Sequence, residues 1–291
     1  MFELEATMPH VISAPASAFD EAASSYDTTE SHNPIFQWMR RRVHTAAAET
    51  FERGARLLEV GCGTGTDALF FARRGHRMIA TDPSPEMLAV AKEKIALAGF
   101  AQTVQFKQAG VEQIDEVIAN YGAASFEGIF SNFGALNCLA NLRLFAAAAA
   151  TLLRPGGKIL LNLMPPICPW EIFYFLFKLK PREAFRRWRG RSGTPGLAVR
   201  LGNRRVQTYY HSRQFVAASF SPFFEIEKQL ALGLFVPPPY LHAVARRQKV
   251  FNVLLNGEER LADWPLLRNW GDHMVMILRK RDNVEINSAP F

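Results

Sequence analysis

Between residues 56 and 164 the chain switches repeatedly between two hydrophobic patterns. Short, mainly apolar runs recur at 56–60, 77–81, 103–108, 127–131 and 157–163, and each is followed within two residues by Gly, Asp, Asn or Pro. Between them, at 66–74, 85–98, 112–120 and 139–153, apolar residues return every three or four positions, the period of a helix resting on a sheet. Runs of this kind belong to strands covered on both faces, so the pattern predicts a parallel sheet between two helical layers. Right-handed crossovers then bring the strand carboxyl ends to one edge, where a ligand crevice forms.

The flanks read differently. Residues 1 to about 17 are rich in Ala, Ser and Pro and read as mobile. Pro34 suits the first turn of a helix that would run to about Arg53, with Gly54 as its stop. Downstream, Pro165-Pro166-Ile167-Cys168-Pro169 breaks the alternation, and Trp170–Phe177 follows. Wound as a helix, Trp170, Phe173, Tyr174 and Phe177 share one face, while Ile172, Phe175, Leu176 and Leu179 cover much of the other. A helix apolar nearly all round is buried in a core, covers a greasy ligand, or dips into a membrane surface. At about ten residues it is too short to span a bilayer. A lid over a substrate is the functional reading, and core packing the structural one. Val199–His211 predicts a hairpin turning at Gly202-Asn203, and Pro237-Pro238-Pro239 precedes an amphipathic helix from about Tyr240 to Leu255. The tail after Arg281 reads as disordered.

Composition adds limits. Hydrophobic content of 48% and charged content of 21% in 291 residues are those of an ordinary globular chain. The net charge of +7 is concentrated: Lys178–Arg205 holds ten Lys/Arg and one acid, Glu183, so the rest is close to neutral. Such a cluster suggests an anionic partner, whether a group on a small substrate, a lipid surface or RNA; its plain reading is a solvated face. The three cysteines, 62, 138 and 168, form no metal-spaced set, so no metal site is expected and a reducing, cytoplasmic compartment fits. The acidic start Met1–Glu5 lacks the apolar core of a secretory signal.

The chemistry concentrates in Leu57-Leu58-Glu59-Val60-Gly61-Cys62-Gly63-Thr64-Gly65-Thr66, with Asp82 closing the next strand. Glycines at alternate positions let the backbone bend and approach a ligand, and the helix start near Thr66 offers free N–H groups. The acid at Asp82 is placed to accept a ribose diol. A dinucleotide loop would need a third glycine where Thr66 stands. Glu59-x-Gly61-x-Gly63-x-Gly65 instead resembles the first motif of class I S-adenosylmethionine-dependent methyltransferases of the small-molecule type. The resemblance continues through Thr81–Leu88, Phe126–Gly134 and Leu152–Lys158, in order. Phe19–Asp27, including Tyr26, resembles the N-terminal segment that such enzymes fold over the cofactor.

The resemblance implies a doubly wound α/β fold with a mostly parallel seven-stranded sheet, an antiparallel last strand and a mixed helical and hairpin cap made of insertions. It divides the chain into a mobile N-terminus (1–18), a cofactor core (19–164), cap insertions at 165–220 and 236–270, last core strands within 221–235 and 271–281, and a tail (282–291). It further implies that Glu59, Gly61, Cys62, Gly63, Gly65 and Thr66 cradle S-adenosylmethionine, that Asp82 takes the ribose, and that Pro83 and Met87 pack on adenine. Gly110 and Val111 stand where the family carries an acid, leaving adenine to backbone or Gln108. Ser131, Asn132 and Phe133 should border the transferring methyl. Methyl transfer requires alignment more than a nucleophile. His211 and His273 are the candidates for a general base, and each has a structural reading as well; Asp272 next to His273 should face the opposite side of a strand. Trp170, Phe173, Tyr174, Phe177, Tyr209 and Tyr210 are the candidate substrate contacts. A small lipophilic or aromatic acceptor is the expected partner, by in-line displacement. The rivals are an RNA methyltransferase using residues 178–205 and a binding subunit that keeps the fold without transfer.

Overall fold

A computed structural model describes residues 15–282. Of the start expected to be mobile (1–18) residues 1–14, and of the expected tail (282–291) residues 283–291, lie outside the described residues; residues 15–18 are not a mobile arm but the first turn of a helix. Two helices, α1 (Pro15–Ser31) and α2 (Pro34–Thr50), precede the alternating region. Asn33 caps α2 by accepting from the N–H groups of Ile35 and Phe36, and Pro34 fills its first turn. The helix stops at Thr50 and not Arg53, because Phe51 turns extended and buries its ring in the core.

Then come β1 (Arg56–Val60), α3 (Thr66–Arg73), β2 (Arg77–Asp82), α4 (Pro85–Leu97), β3 (Val104–Gln108), α5 (Ile114–Tyr121), β4 (Phe126–Ser131), α6 (Arg143–Leu152) and β5 (Leu153–Leu163). β5 starts at Leu153, four residues before the predicted start at Gly157, since Leu153 already pairs with Phe126. The segment that follows folds as α7 (Pro169–Phe177), α8 (Pro181–Ala184), α9 (Arg186–Arg189) and the hairpin β6 (Leu197–Leu201) and β7 (Arg204–Thr208), which turns at Gly202-Asn203 as predicted. α10 (Arg213–Phe220), β8 (Phe224–Leu232), α11 (Gln248–Leu261) and β9 (His273–Lys280) complete the order. The helix predicted over Tyr240–Leu255 is instead a 3-10 segment, Pro239–Arg246, and then α11; Arg247, with ψ of 80°, breaks the two apart.

The main sheet has the order β3-β2-β1-β4-β5-β9-β8, with β9 antiparallel to both neighbours and the other pairings parallel. This is the doubly wound seven-stranded sheet expected, with its reversed strand last in sequence. Alternate strand residues feed two separate cores. Leu57, Met78, Ala80, Phe130 and Leu160 face α2 and α3; Leu58, Ile79, Ile129, Ile159 and Leu161 face α6 and α10. The strands therefore needed continuous apolar sequence. Among the described residues, no helix is long and apolar enough to cross a membrane.

Candidate functional site

The site begins where β1 ends. The N–H groups of Gly61 and Cys62 both donate to the Thr81 carbonyl, at 2.8 and 2.9 Å, which pins the loop against the end of β2. Gly61 has φ of +74°, and a Cβ there would fall 2.4 Å from the Cβ of Ala135. Gly63 faces open space: nothing lies within 4 Å of where its Cβ would be. Its N–H donates to Asp82 Oδ2 at 2.8 Å, and that of Ser84 to Oδ1 at 3.0 Å. Burial pushes the Asp82 carboxyl up despite these two donors. A carboxylate accepts about four hydrogen bonds, so capacity remains for a ligand diol.

The cleft over this loop holds about 820 Å³ of empty space, open solvent at its mouth included. α1 covers it. Phe19 and Tyr26, seven residues apart and so on one helix face, both line the cleft. The helix is strapped down by its acids: Asp20 accepts from Ser84 Oγ at 2.5 Å, Asp27 from Thr64 Oγ1 at 2.5 Å, and Asp27 pairs with Lys94 at 2.7 Å. Across the cleft stands Phe133 at the end of β4, held at φ of +47°, a conformation uncommon for a non-glycine residue. Its ring lies 4.3 Å from that of Phe36, centroid to centroid, and 4.8 Å from the Arg40 guanidinium carbon.

Arg40 joins Glu30 at 2.5 Å and Asp67 at 2.6 Å; His44 Nε2 and Asn132 Nδ2 also donate to Asp67, at 2.6 and 2.8 Å. Burial alone would raise the Asp67 carboxyl, but Arg40, His44 and Asn132 outweigh it and hold the group well below the usual carboxylate range. It therefore stays ionised and fixes Asn132 beside Phe133.

Of the residues singled out in sequence, Tyr26, Gly61, Cys62, Gly63 and Thr66 line the cleft, as do Asp82, Pro83, Met87, Val111, Asn132 and Phe133. Four others support it without lining it. Glu59 is buried and leaves its Oε2 without a hydrogen-bond partner. Gly65 caps α3, Gly110 packs on the Glu112 side chain, and Ser131 Oγ donates to the Val60 carbonyl at 3.0 Å. Gln108 is drawn away from the cleft, its amide donating to the Pro83 carbonyl.

The histidines do not reach the cleft. His211 is wholly buried, with Nε2 3.1 Å from the Leu136 carbonyl, Nδ1 2.7 Å from Ser192 Oγ, and its ring stacked on Phe215. Burial pushes its pKa down to about 4, so it is a neutral structural residue and not a base. His273 sits behind Phe133, edge to face at 5.8 Å. Asp272 does reach it, with Oδ2 3.1 Å from Nδ1. The expectation of opposite faces fails because Gly271, at φ of +149°, bends the chain before the strand begins at His273.

Nor do the aromatic substrate candidates line the cleft. Trp170 donates to the Phe235 carbonyl at 2.7 Å; Tyr174 lies under Lys178; Tyr210 is buried beside Arg187; Tyr209 pairs by backbone with Asn137. Phe173 and Phe177 point into solvent, 71% and 90% exposed. α7 is held from the other side, where Glu171 is buried between Arg186 at 2.7 Å and Arg187 at 2.8 Å, and Arg187 continues to Asp272 at 2.6 Å. These pairs, with Arg204 on Glu21, neutralise three of the ten cations in the basic cluster.

Sequence reasoning missed Phe19 as a named contact, and Arg40, Asp67, Glu112 and Cys138, all of which line the cleft. Glu112 is exposed at the rim and lies two residues beyond Gly110, where the family's acid was missing. Burial pushes the Cys138 thiol up to about 11, so it is no nucleophile.

These features fit S-adenosylmethionine. The open space at Gly63 leaves room for the ligand and Asp82 keeps free acceptor capacity, while Glu59 sits behind the loop with its carboxyl pushed up by burial. Pro83 and the buried Met87 give adenine an apolar, polarizable wall.

Comparison with known proteins agrees. Residues 57–157 match a family model described as a methyltransferase domain. The chain is 30% identical over 143 residues to a demethylmenaquinone methyltransferase of Clavibacter sepedonicus, covering 49% of this chain and 55% of that one. It is 28% identical over 155 residues to a ubiquinone biosynthesis O-methyltransferase of Agrobacterium fabrum, covering 50% and 57%. The chain thus spans little more than half the length of the curated relatives it matches. Among solved structures, 1,6-didemethyltoxoflavin-N1-methyltransferase of Burkholderia thailandensis, with bound S-adenosylhomocysteine, superposes with a TM-score of 0.51 at 18% identity, covering 96% and 94%.

Proposed function

We propose that this chain, whose residues 57–157 match a methyltransferase domain, is a class I S-adenosylmethionine-dependent methyltransferase that methylates a phenolic oxygen on a small aromatic acceptor. The observation that carries the reading is one cleft in which the Gly61–Gly65 cradle and Asp82 face an aromatic wall, Phe133, that carries the Arg40 guanidinium.

S-Adenosylmethionine supplies a methyl group already activated on its sulfonium. The chain's residues bind, align and exclude water. Asp82 accepts the ribose hydroxyls, Pro83 and Met87 cover adenine, and Glu112 takes the place of the family's missing acid at the adenine edge. Phe19 and Tyr26 close the cleft from α1. Phe133 presents a flat apolar face to an aromatic ring. Arg40, paired with Asp67 and Glu30, holds the Phe133 ring in place; burial and Glu30 push the Tyr26 phenol of the same cleft well above its ordinary range, so a phenolic acceptor enters protonated. No histidine lines the cleft among the described residues, so the acceptor's proton passes to solvent as the methyl is transferred. The quinone-related names of the two curated relatives support an aromatic acceptor, and that of the second, an O-methyltransferase, supports transfer to oxygen.

Calorimetric titration with S-adenosylmethionine and S-adenosylhomocysteine tests the cofactor half, and radiolabelled transfer to hydroquinones and catechols tests the acceptor half. The expected result is micromolar cofactor binding and labelled product. Absence of cofactor binding sinks the reading; tight binding with no transfer to any acceptor favours the binding-subunit alternative.

A further inference from the structure

The outward face of α7 has no partner within the described chain. At about 100° per residue, Leu176, Phe173 and Phe177 share one arc of the helix, opposite the buried Glu171. They are 41%, 71% and 90% exposed, and Leu179, just past the helix end, is 89% exposed. Leu179 adopts φ of +55°, an uncommon conformation for a leucine, in the turn that carries it beyond the helix. Soluble folds rarely hold two large apolar side chains nine-tenths out of contact in three residues.

Around this ridge the charge is of one sign. Lys178, Lys180, Arg182 and Arg189 are exposed, and none has an acidic partner among the described ion pairs, which in this region take up Arg186, Arg187 and Arg204. The single acid from Lys178 to Arg205, Glu183, is half-buried. The ion pairs divide the basic cluster: Arg186 and Arg187 bind the insertion to the core, while Lys178, Lys180 and Arg182 follow directly on the apolar ridge without an acidic partner among the described ion pairs.

We propose that this ridge docks the protein on an anionic lipid bilayer, with Phe173, Leu176, Phe177 and Leu179 entering the headgroup–acyl boundary and the flanking Lys and Arg paired to acidic headgroups. Exposed aromatic and aliphatic tips rimmed by cations suit that interface on both counts. Single-stranded RNA would use the cations and the exposed Trp188 but leave the aliphatic tips in water. A second copy of this chain would bring like charges together. The docking stands apart from methyl transfer, and the two fail in separate assays.

The test is co-sedimentation of the full chain with vesicles of phosphatidylcholine alone and with roughly one-third phosphatidylglycerol. Two variants accompany wild type: Phe173→Ser/Phe177→Ser/Leu179→Ser and Lys178→Glu/Lys180→Glu/Arg182→Glu. Melting temperature and S-adenosylhomocysteine affinity report whether each still folds. Wild type should bind the anionic vesicles, release from them as salt rises, and bind neutral ones weakly. The apolar variant should lose at least about tenfold in affinity. The charge variant should lose about fivefold for each cation removed. Wild type that ignores both vesicles overturns the proposal, as does binding that both variants keep. So does RNA binding without vesicle binding, or a wild-type dimer that the apolar variant turns into a monomer.

Discussion

The glycine loop with its flanking strands and the α7–α9 insertion solve opposite problems. In the first, residues close in sequence converge on a space left open: Gly63, Asp82 and Ser84 lie within one strand-helix-strand unit and bond through backbone N–H groups. In the second, a space is closed by charges far apart in sequence: Glu171, Arg187 and Asp272 meet in the interior, 16 and 85 residues apart pairwise along the chain. Where the first leaves a buried carboxyl oxygen unpaired, the second leaves none of its carboxylates unpaired. Spare acceptor capacity at Asp82 can take a ligand; a paired ion network, in which only the Arg187 Nε is without a partner, anchors a structure and leaves chemistry to the surface it holds up.

The contrast can be broken at its strongest point first. Glu171→Ala leaves the buried Arg187 with Asp272 as its one remaining acid partner and should destabilise the fold by up to about 3 kcal/mol, read by urea unfolding. A loss under about 1 kcal/mol would make the network incidental. Asp82→Ala should weaken S-adenosylhomocysteine binding about a hundredfold, or ~2.7 kcal/mol, by calorimetry. Unchanged affinity would remove the loop's claim to the ribose.

His211 sharpens the comparison through pH. Its folded pKa, about 4, lies below the unfolded value of 6.5, so the neutral side chain stabilises the fold fully above pH 6.5 and the gain fades as pH falls toward 4. Going from about pH 7 to about pH 5 should cost about 2 kcal/mol from this group. His211→Gln should flatten that part of the slope in denaturation curves taken across the range. The smallest effect is expected at Phe177→Ser, within about 0.5 kcal/mol of wild-type stability, because the ring it removes touches little.

What could be read from sequence follows the same division. Gly61–Gly65 and Asp82 were legible because the alternate glycines and the acid fall at strand ends, which gather at one edge of a parallel sheet; Phe133 was legible through the resemblance of Phe126–Gly134. Phe19 and Tyr26 carried a weaker signal, their spacing of seven. Arg40 was hidden as one of three consecutive arginines, 40–42; only packing selects the one that meets Asp67. Glu112 was passed over because the acid was sought next to Gly110. The Lys178–Arg205 cluster was read as surface, although burial of Glu171 pulls Arg187 inside; no local pattern announces a partner so distant. Asp272 and His273 were judged by the pleat of a strand that begins one residue later, after Gly271 bends the chain.

The place of β9 has a consequence for how the molecule is made. β9 lies between β5 and β8, yet it is the last of the described strands to leave the ribosome. Until it emerges, the cofactor half can assemble β1 to β5 but must hold the β5 edge open, and β8 has no neighbour at all. An unpaired central edge is a site of aggregation, and pairing across so many intervening residues is slow. A chain cut before His273 would thus keep every residue of the cleft and still be expected to accumulate in insoluble form.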